Sequence, residues 1–337
     1  MRPTVCASRG LLAVVIVPLV VAPTSAAPPV AKPSSPDSRV IENSTPRTPW
    51  GDPDLQGTWD YKTITPLERP AAMAGRQFLT DAEKSELEKR AAKRLDEPPD
   101  ETVPANLVHA PYWTDPGRRV LDDKRTSLII DPADGRIPPL SADAQLRLAR
   151  RRANGREVGR ADGPEDRSSL ERCITWGLPT ATLPGLYNNN IQIVQAPGYV
   201  AIIHEMVHDV RIVPLDGRPS LASGIRQWFG SSHGHWDGAT LVVETQNFSD
   251  KTNFRGSGAN LHLVERFTRI NADTIGYQLT VDDPTTWPRP WTAAYPMKPS
   301  EGPIYEYACH EANVGLLDIL EVARDEEKTI RTAEGGK

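Results

Sequence analysis

The chain has 337 residues, a formal net charge of −5, and 32 prolines against 5 phenylalanines. That length allows one large domain or two modest ones. The acidic balance excludes a basic field that would draw nucleic acid, and the prolines argue for extended connections rather than a helical bundle.

Residues 1–27 read as a secretory signal peptide. Arg2 and Arg9 precede the apolar run "LLAVVIVPLVVA", and "PTSAA" supplies small residues for cleavage near Ala26 or Ala27. The run is too short to cross a bilayer and Pro18 interrupts it. No Cys follows directly, so no lipid attachment is expected. The mature protein is therefore expected to be secreted or periplasmic, without membrane insertion. Residues 28–48 are polar and Pro/Ser-rich, the composition of a disordered leader. Cys6 leaves with the signal. Cys173 and Cys309 remain, and an oxidising compartment favours one disulfide between them over two separate buried thiols.

Residues 49–330 read as a single β-rich domain with a helical insertion around 79–160. A strand starts at Gly57-Thr58-Trp59. "LTDAEKSELEKRAAKRL" is a helix with Thr80 as N-cap and Glu83 completing a capping box. Its charges mark it as largely solvated. A short strand at Ser127–Ile130 and a turn at Asp134-Gly135 follow. A second helix, "SADAQLRLARRRANGREV", starts at the Ser141 cap, and the charged loop "GRADGPEDRSS" separates the halves.

The second half is read as strands. Two lie about the Pro197-Gly198 turn, the second spanning 199–213. Another is turned at Asp237-Gly238. "LHLVERFTRI", "TIGYQLTVDDP" and "PIYEYACHE" are runs of β-formers bounded by turn residues. Consecutive strands with short polar turns predict an antiparallel meander, closed into a barrel or strongly curled sheet because exposed edges must be covered. The fold class is mainly β with peripheral helices (α+β). The chain ends in a helix that frays over 331–337.

"HEMVH", His204 to His208, fits the H-E-x-x-H zinc pattern. On a helix, imidazoles at i and i+4 share a face and can reach one metal. The surrounding "VAIIHEMVHDVRIV" is rich in Val and Ile, which favour strands. On a strand the two histidines stand about 13 Å apart and cannot share a zinc. The strand is preferred and no cofactor is called for. The alternative is zinc held by His204 and His208 with Glu205 as base. On the strand Glu205, Asp209 and Arg211 share a face, and Asp209–Arg211 could pair.

The histidines cluster in the β half among Trp228, Trp236, Trp287 and Trp291, with His109 in "HAPYW" apart from them. Trp walls with Arg and Asp between them suit a small polar or aromatic ligand, although any single Trp serves equally as a core anchor. The site is expected between the 199–213 strand, the "SSHGHW" loop and the "DDPTTWPRPW" segment. Histidine titrates near neutrality, so His208 is the preferred acid–base residue, with Glu205 and Asp209 as the carboxylates. Arg211, Arg226, His233, His235, Trp236, Asp283 and Trp291 are the expected substrate-binding residues.

"WGDPDLQGTWDYKTITPLERP", "RTSLIIDPADGRIPPL", "HDVRIVPLDGRP", "IRQWFGSSHGHWDGATLVVETQNF" and "IYEYACHE" together resemble a widespread group of uncharacterised exported bacterial proteins. That resemblance implies export and brings no activity. Gly57-Thr58-Trp59 followed by a meander is similar to lipocalin-like β-barrels, from which the long helical insertion departs. The leading expectation is an exported enzyme acting on a small molecule by metal-independent His/carboxylate chemistry, as a lyase, isomerase or hydrolase. A zinc-dependent hydrolase and a non-catalytic ligand-binding barrel are the alternatives.

Overall fold

The computed structural model describes residues 46–97, 114–153, 161–252, 254–311 and 313–335. The expected signal peptide, His109 and most of the expected leader lie outside them. The chain is already engaged at Arg47, which pairs with Pro53, and Thr48 is buried.

Ten strands form one antiparallel sheet: β1 (Gly57–Asp60), β2 (Ile129–Asp131), β3 (Asn190–Ala196), β4 (Tyr199–His204), β5 (Val210–Pro214), β6 (Ser231–Asp237), β7 (Thr240–Gln246), β8 (His262–Asn271), β9 (Thr274–Asp282) and β10 (Trp291–Pro299). Their order is β5-β4-β3-β1-β10-β9-β8-β7-β6, with β2 pairing on β10. The sheet curls until β5 and β6 lie against each other, so the barrel is nearly closed. Gly234 sits at that seam. A Cβ there would stand 2.9 Å from Val213 Cγ1 and 2.7 Å from Leu215 Cδ2, so only a residue without a side chain lets β6 approach.

Strand alternation fills the interior. Ile191 and Ile193, Val200 and Ile202, Leu241 and Val243, Leu263 and Phe267, Tyr277 and Leu279, Ala293 and Tyr295 all point inward and are buried. The helices are peripheral. In α1 (Asp81–Asp96) Thr80 and Glu83 form the reciprocal cap and no residue is buried. In α2 (Ala142–Ala153) the Ser141 hydroxyl accepts from Ala144 N–H at 3.1 Å. The C-terminal α3 runs Val314–Gly335.

Three local expectations are corrected. Residues 199–213 are a hairpin and not one strand. β4 ends at His204, Met206–His208 form a 3-10 turn, and β5 starts at Val210. His204 N–H donates to Asp209 O at 2.8 Å and closes the hairpin. Val207 and His208 adopt φ of 57° and 46° to do so. The Val/Ile content gave the correct conformation on each side but does not report a turn made by two strained residues. Second, "SSHGHW" belongs to β6 and is not a loop. Third, "PIYEYACHE" is not a strand. Tyr305 N–H goes to the Glu205 carboxylate and Tyr307 O to the His208 ring, so this backbone bonds side chains and not a neighbouring ladder. The segment "WTAAYPMKP", for which no strand was expected, forms β10. Pro296 is tolerated at its position between β1 and β9, although a central-strand proline ordinarily argues against the assignment.

Register places one rim in view. The ends of β1, β4, β7 and β9 and the starts of β3, β5, β6, β8 and β10 lie at the same end of the barrel. That rim carries the 205–209 turn, the 247–261 loop and the 283–290 connection. The short 3-10 turn Thr180–Thr182 plugs the interior. Ala181 O accepts from Tyr61 Oη at 2.9 Å, and Thr182 O accepts from Tyr295 Oη.

Candidate functional site

The 205–209 turn gathers three candidate catalytic residues but points them differently. Glu205 is buried. Its Oε2 accepts from Asn190 Nδ2 at 2.7 Å and its Oε1 from Tyr305 N–H at 3.3 Å. His208 is exposed, with Nδ1 3.1 Å from Tyr307 O. A carbonyl only accepts, so Nδ1 carries the proton in the neutral ring and Nε2 keeps its lone pair. Asp209 is half-buried, and its Oδ2 accepts from Thr175 Oγ1 at 2.8 Å and Trp176 N–H at 3.1 Å. Burial pushes its carboxyl up to about 6, against the opposing pull of the Thr175 hydroxyl, the Trp176 amide, His208 and Arg211. A β-branched residue such as Val207 at positive φ is a true backbone outlier, and such strain concentrates at functional sites.

The strap over this turn is tied down covalently. Cys173 and Cys309 form a disulfide with Cα atoms 5.6 Å apart across 136 residues of sequence. Closing a loop of that size stabilises the fold by up to about 5 kcal/mol in the chain-entropy treatment. The bond also fits an oxidising location outside the cytoplasm. Among the described residues no helix is long and apolar enough to cross a membrane.

Arg211 does not pair with Asp209 as a neighbour on one face. It points into the barrel, where it makes a two-pronged ion pair with Glu265 of β8. Tyr277 Oη donates to Glu265 Oε1 at 2.8 Å. His204 is likewise interior. Its Nδ1–H donates to Ala181 O at 3.1 Å, and its ring meets Phe229 edge-on at 5.5 Å. Burial, reinforced by Arg211, depresses the His204 imidazole to about 3 despite the Ala181 carbonyl, so it stays neutral. His204 therefore faces the core and His208 faces out to the strap. The helix that a shared zinc site needs is absent from HEMVH, and among the described residues no three His, Cys, Asp or Glu side chains cluster as a metal site.

A cleft of about 330 Å³ opens on the same rim between α2, the 247–261 loop and Asp283. Arg226 braces its wall by donating to Ala259 O at 2.6 Å and Phe248 O at 3.1 Å. Asp283 is buried in its floor. Trp291 is buried in the core beneath, stacked on Phe254 at 6.1 Å. His233, His235 and Trp236 lie along β6, opposite Glu244, Val242 and Leu241 of β7. The rim thus brings the turn, Arg226 and Asp283 to one end, while Arg211 and Trp291 lie inside. Glu265, Thr175 and the bonding role of the Tyr305–Tyr307 strap were not singled out from sequence. They come from distant segments, and no local spacing signals them.

No family model and no curated protein matches the chain.

Proposed function

We propose that this chain is an exported enzyme that uses acid–base chemistry at the 205–209 turn on a small polar or aromatic substrate. The observation that carries the reading is Asp209. Its carboxyl is pushed up to about 6 by burial beside His208, whose Nδ1 is engaged by the Tyr307 carbonyl so that Nε2 keeps its lone pair. One group can give a proton while the other takes one, the pairing that lyases, isomerases and hydrolases require. Glu205 acts as a positioning residue, since it clamps Asn190 and the strap and does not face the open side.

The test is turnover. The mature protein is incubated with pools of small polar and aromatic metabolites, and consumption is followed by mass spectrometry. His208→Asn keeps a side chain that tolerates the left-handed backbone, and Asp209→Asn keeps the volume. Each should lose about 10²–10⁴-fold in rate, His208→Asn at an unchanged melting temperature and Asp209→Asn without a fall in melting temperature. Saturable thermal stabilisation by a metabolite with no turnover would replace the enzyme with a binding protein, and full activity in both variants would remove the chemistry from the 205–209 turn.

A further inference from the structure

We propose that the rim cleft between α2 and the 247–261 loop is a binding site for a neutral polyhydroxylated ligand about the size of one sugar ring. The inference is independent of the acid–base reading of the turn. At about 330 Å³ the cleft lies at the small end of ligand sites, which run about 300–1,000 Å³.

The hydrogen-bond directions in its lining select the ligand. Asp283 Oδ1 accepts from the Thr285 amide at 2.9 Å and the Thr285 hydroxyl at 2.6 Å. Its Oδ2 accepts from Ser257 Oγ at 2.6 Å and Thr286 Oγ1 at 2.8 Å. The Thr252 hydroxyl donates to Trp228 O at 2.9 Å. Ser257, Thr285 and Thr252 line the cleft, and each has given its one hydroxyl proton to the protein. Each can therefore only accept from a ligand. Asp250 adds an exposed carboxylate that makes no hydrogen bond or ion pair among the described residues. The wall thus favours a ligand with several O–H donors, beside the donors of Arg147 and the Asn260 amide, whose Nδ2 donates to Thr285 Oγ1 at 3.4 Å.

Charge narrows the choice. Arg147 lines the same cleft and spends Nη2 on Thr285 O at 3.0 Å and Thr286 Oγ1 at 3.2 Å. Its guanidinium opposes an ammonium ligand, while Asp250 and Asp283 oppose an anion. A hydroxyl both donates and accepts, so it satisfies the Asp250 carboxylate and Arg147 together.

The cleft is also preorganised. Phe254 anchors the loop against Trp291 and meets Trp287 edge-on at 6.4 Å, Arg226 fixes the Ala259 carbonyl, and the loop crosses itself at Gly258. A Cβ on Gly258 would stand 2.7 Å from Thr252 O, so the close approach needs glycine. A fixed loop loses little entropy on binding.

The experiment titrates the mature chain with glucose, galactose, mannose and N-acetylglucosamine by saturation-transfer NMR and calorimetry. At least one sugar should bind saturably. Asp250→Asn and Arg147→Ala, both at exposed positions, should weaken it by about 10–100-fold, the effect of removing a hydrogen bond to a charged group, with unchanged melting temperature. Failure of all four sugars to bind, binding unaltered in both variants, or preferential binding of inorganic phosphate would overturn the proposal.

Discussion

Arg211 of β5 and Glu265 of β8 meet across the barrel interior as a two-pronged ion pair, with 3% and 0% of their side chains exposed. The pair ties the hairpin that carries the 205–209 turn to the strand beneath the 247–261 loop. A buried charge that loses its partner is left uncompensated. Glu265→Gln or Arg211→Met alone should cost about 3–5 kcal/mol in urea unfolding. The double variant Arg211→Met/Glu265→Leu should recover most of that loss, since an apolar pair of similar volume replaces two desolvated ions. Single variants costing under about 1 kcal/mol would show that the pair is not held dry.

Asp209 and His204 give opposing pH dependences. The Asp209 carboxyl rises from 3.8 to about 6 on folding, so between those values the folded state binds the extra proton and stability falls as pH rises. The His204 imidazole falls from 6.5 to about 3, so its contribution is present above 6.5 and is lost as pH drops toward 3. Wild-type stability between pH 4 and 6 is therefore flattened by partial cancellation. Asp209→Asn should remove one slope and expose the other. Stability relative to wild type should then rise by about 1–2 kcal/mol from pH 4 to pH 7, a value reduced for solvent screening of a half-buried group. Parallel pH profiles of the two proteins would contradict the Asp209 environment.

Gly234 holds the barrel seam. Gly234→Ala places a methyl within 3 Å of both Val213 and Leu215 side chains, and overpacking of this kind costs about 1–3 kcal/mol. Gly315→Ala is the control. It lies in α3 with nothing within 4 Å of the added methyl, so it should be neutral or stabilising. Equal melting temperatures for the two variants would show that β5 and β6 do not close on each other.

The legible parts of this fold are the ones written in local chemistry. Thr80 and Glu83 announced a capped helix, Pro197-Gly198 and Asp237-Gly238 announced hairpins, and alternating β-formers gave β8 and β9. The pairing of Cys173 with Cys309 followed from there being two cysteines left in a chain read as exported. The 205–209 turn was not legible. Val207 is a poor residue for positive φ, and long-range contacts hold the turn: Met206 and Val207 are buried, and Glu205 and His208 bond the Tyr305–Tyr307 strap.

The sequence by itself determined the fold class, the meander and its hairpins, because periodicity, caps and turn residues act over a few positions and need no partner. The tertiary structure alone decided what each polar residue of the "HEMVHDVR" stretch does. His204 and Arg211 turned inward, His208 and Asp209 turned to the rim, and Glu205 became a clamp. The reason is that a side chain's charge state and role depend on burial and on partners such as Ala181, Glu265, Thr175 and Tyr307. Those partners lie tens to about a hundred residues away, and only the closure of the barrel brings them into contact.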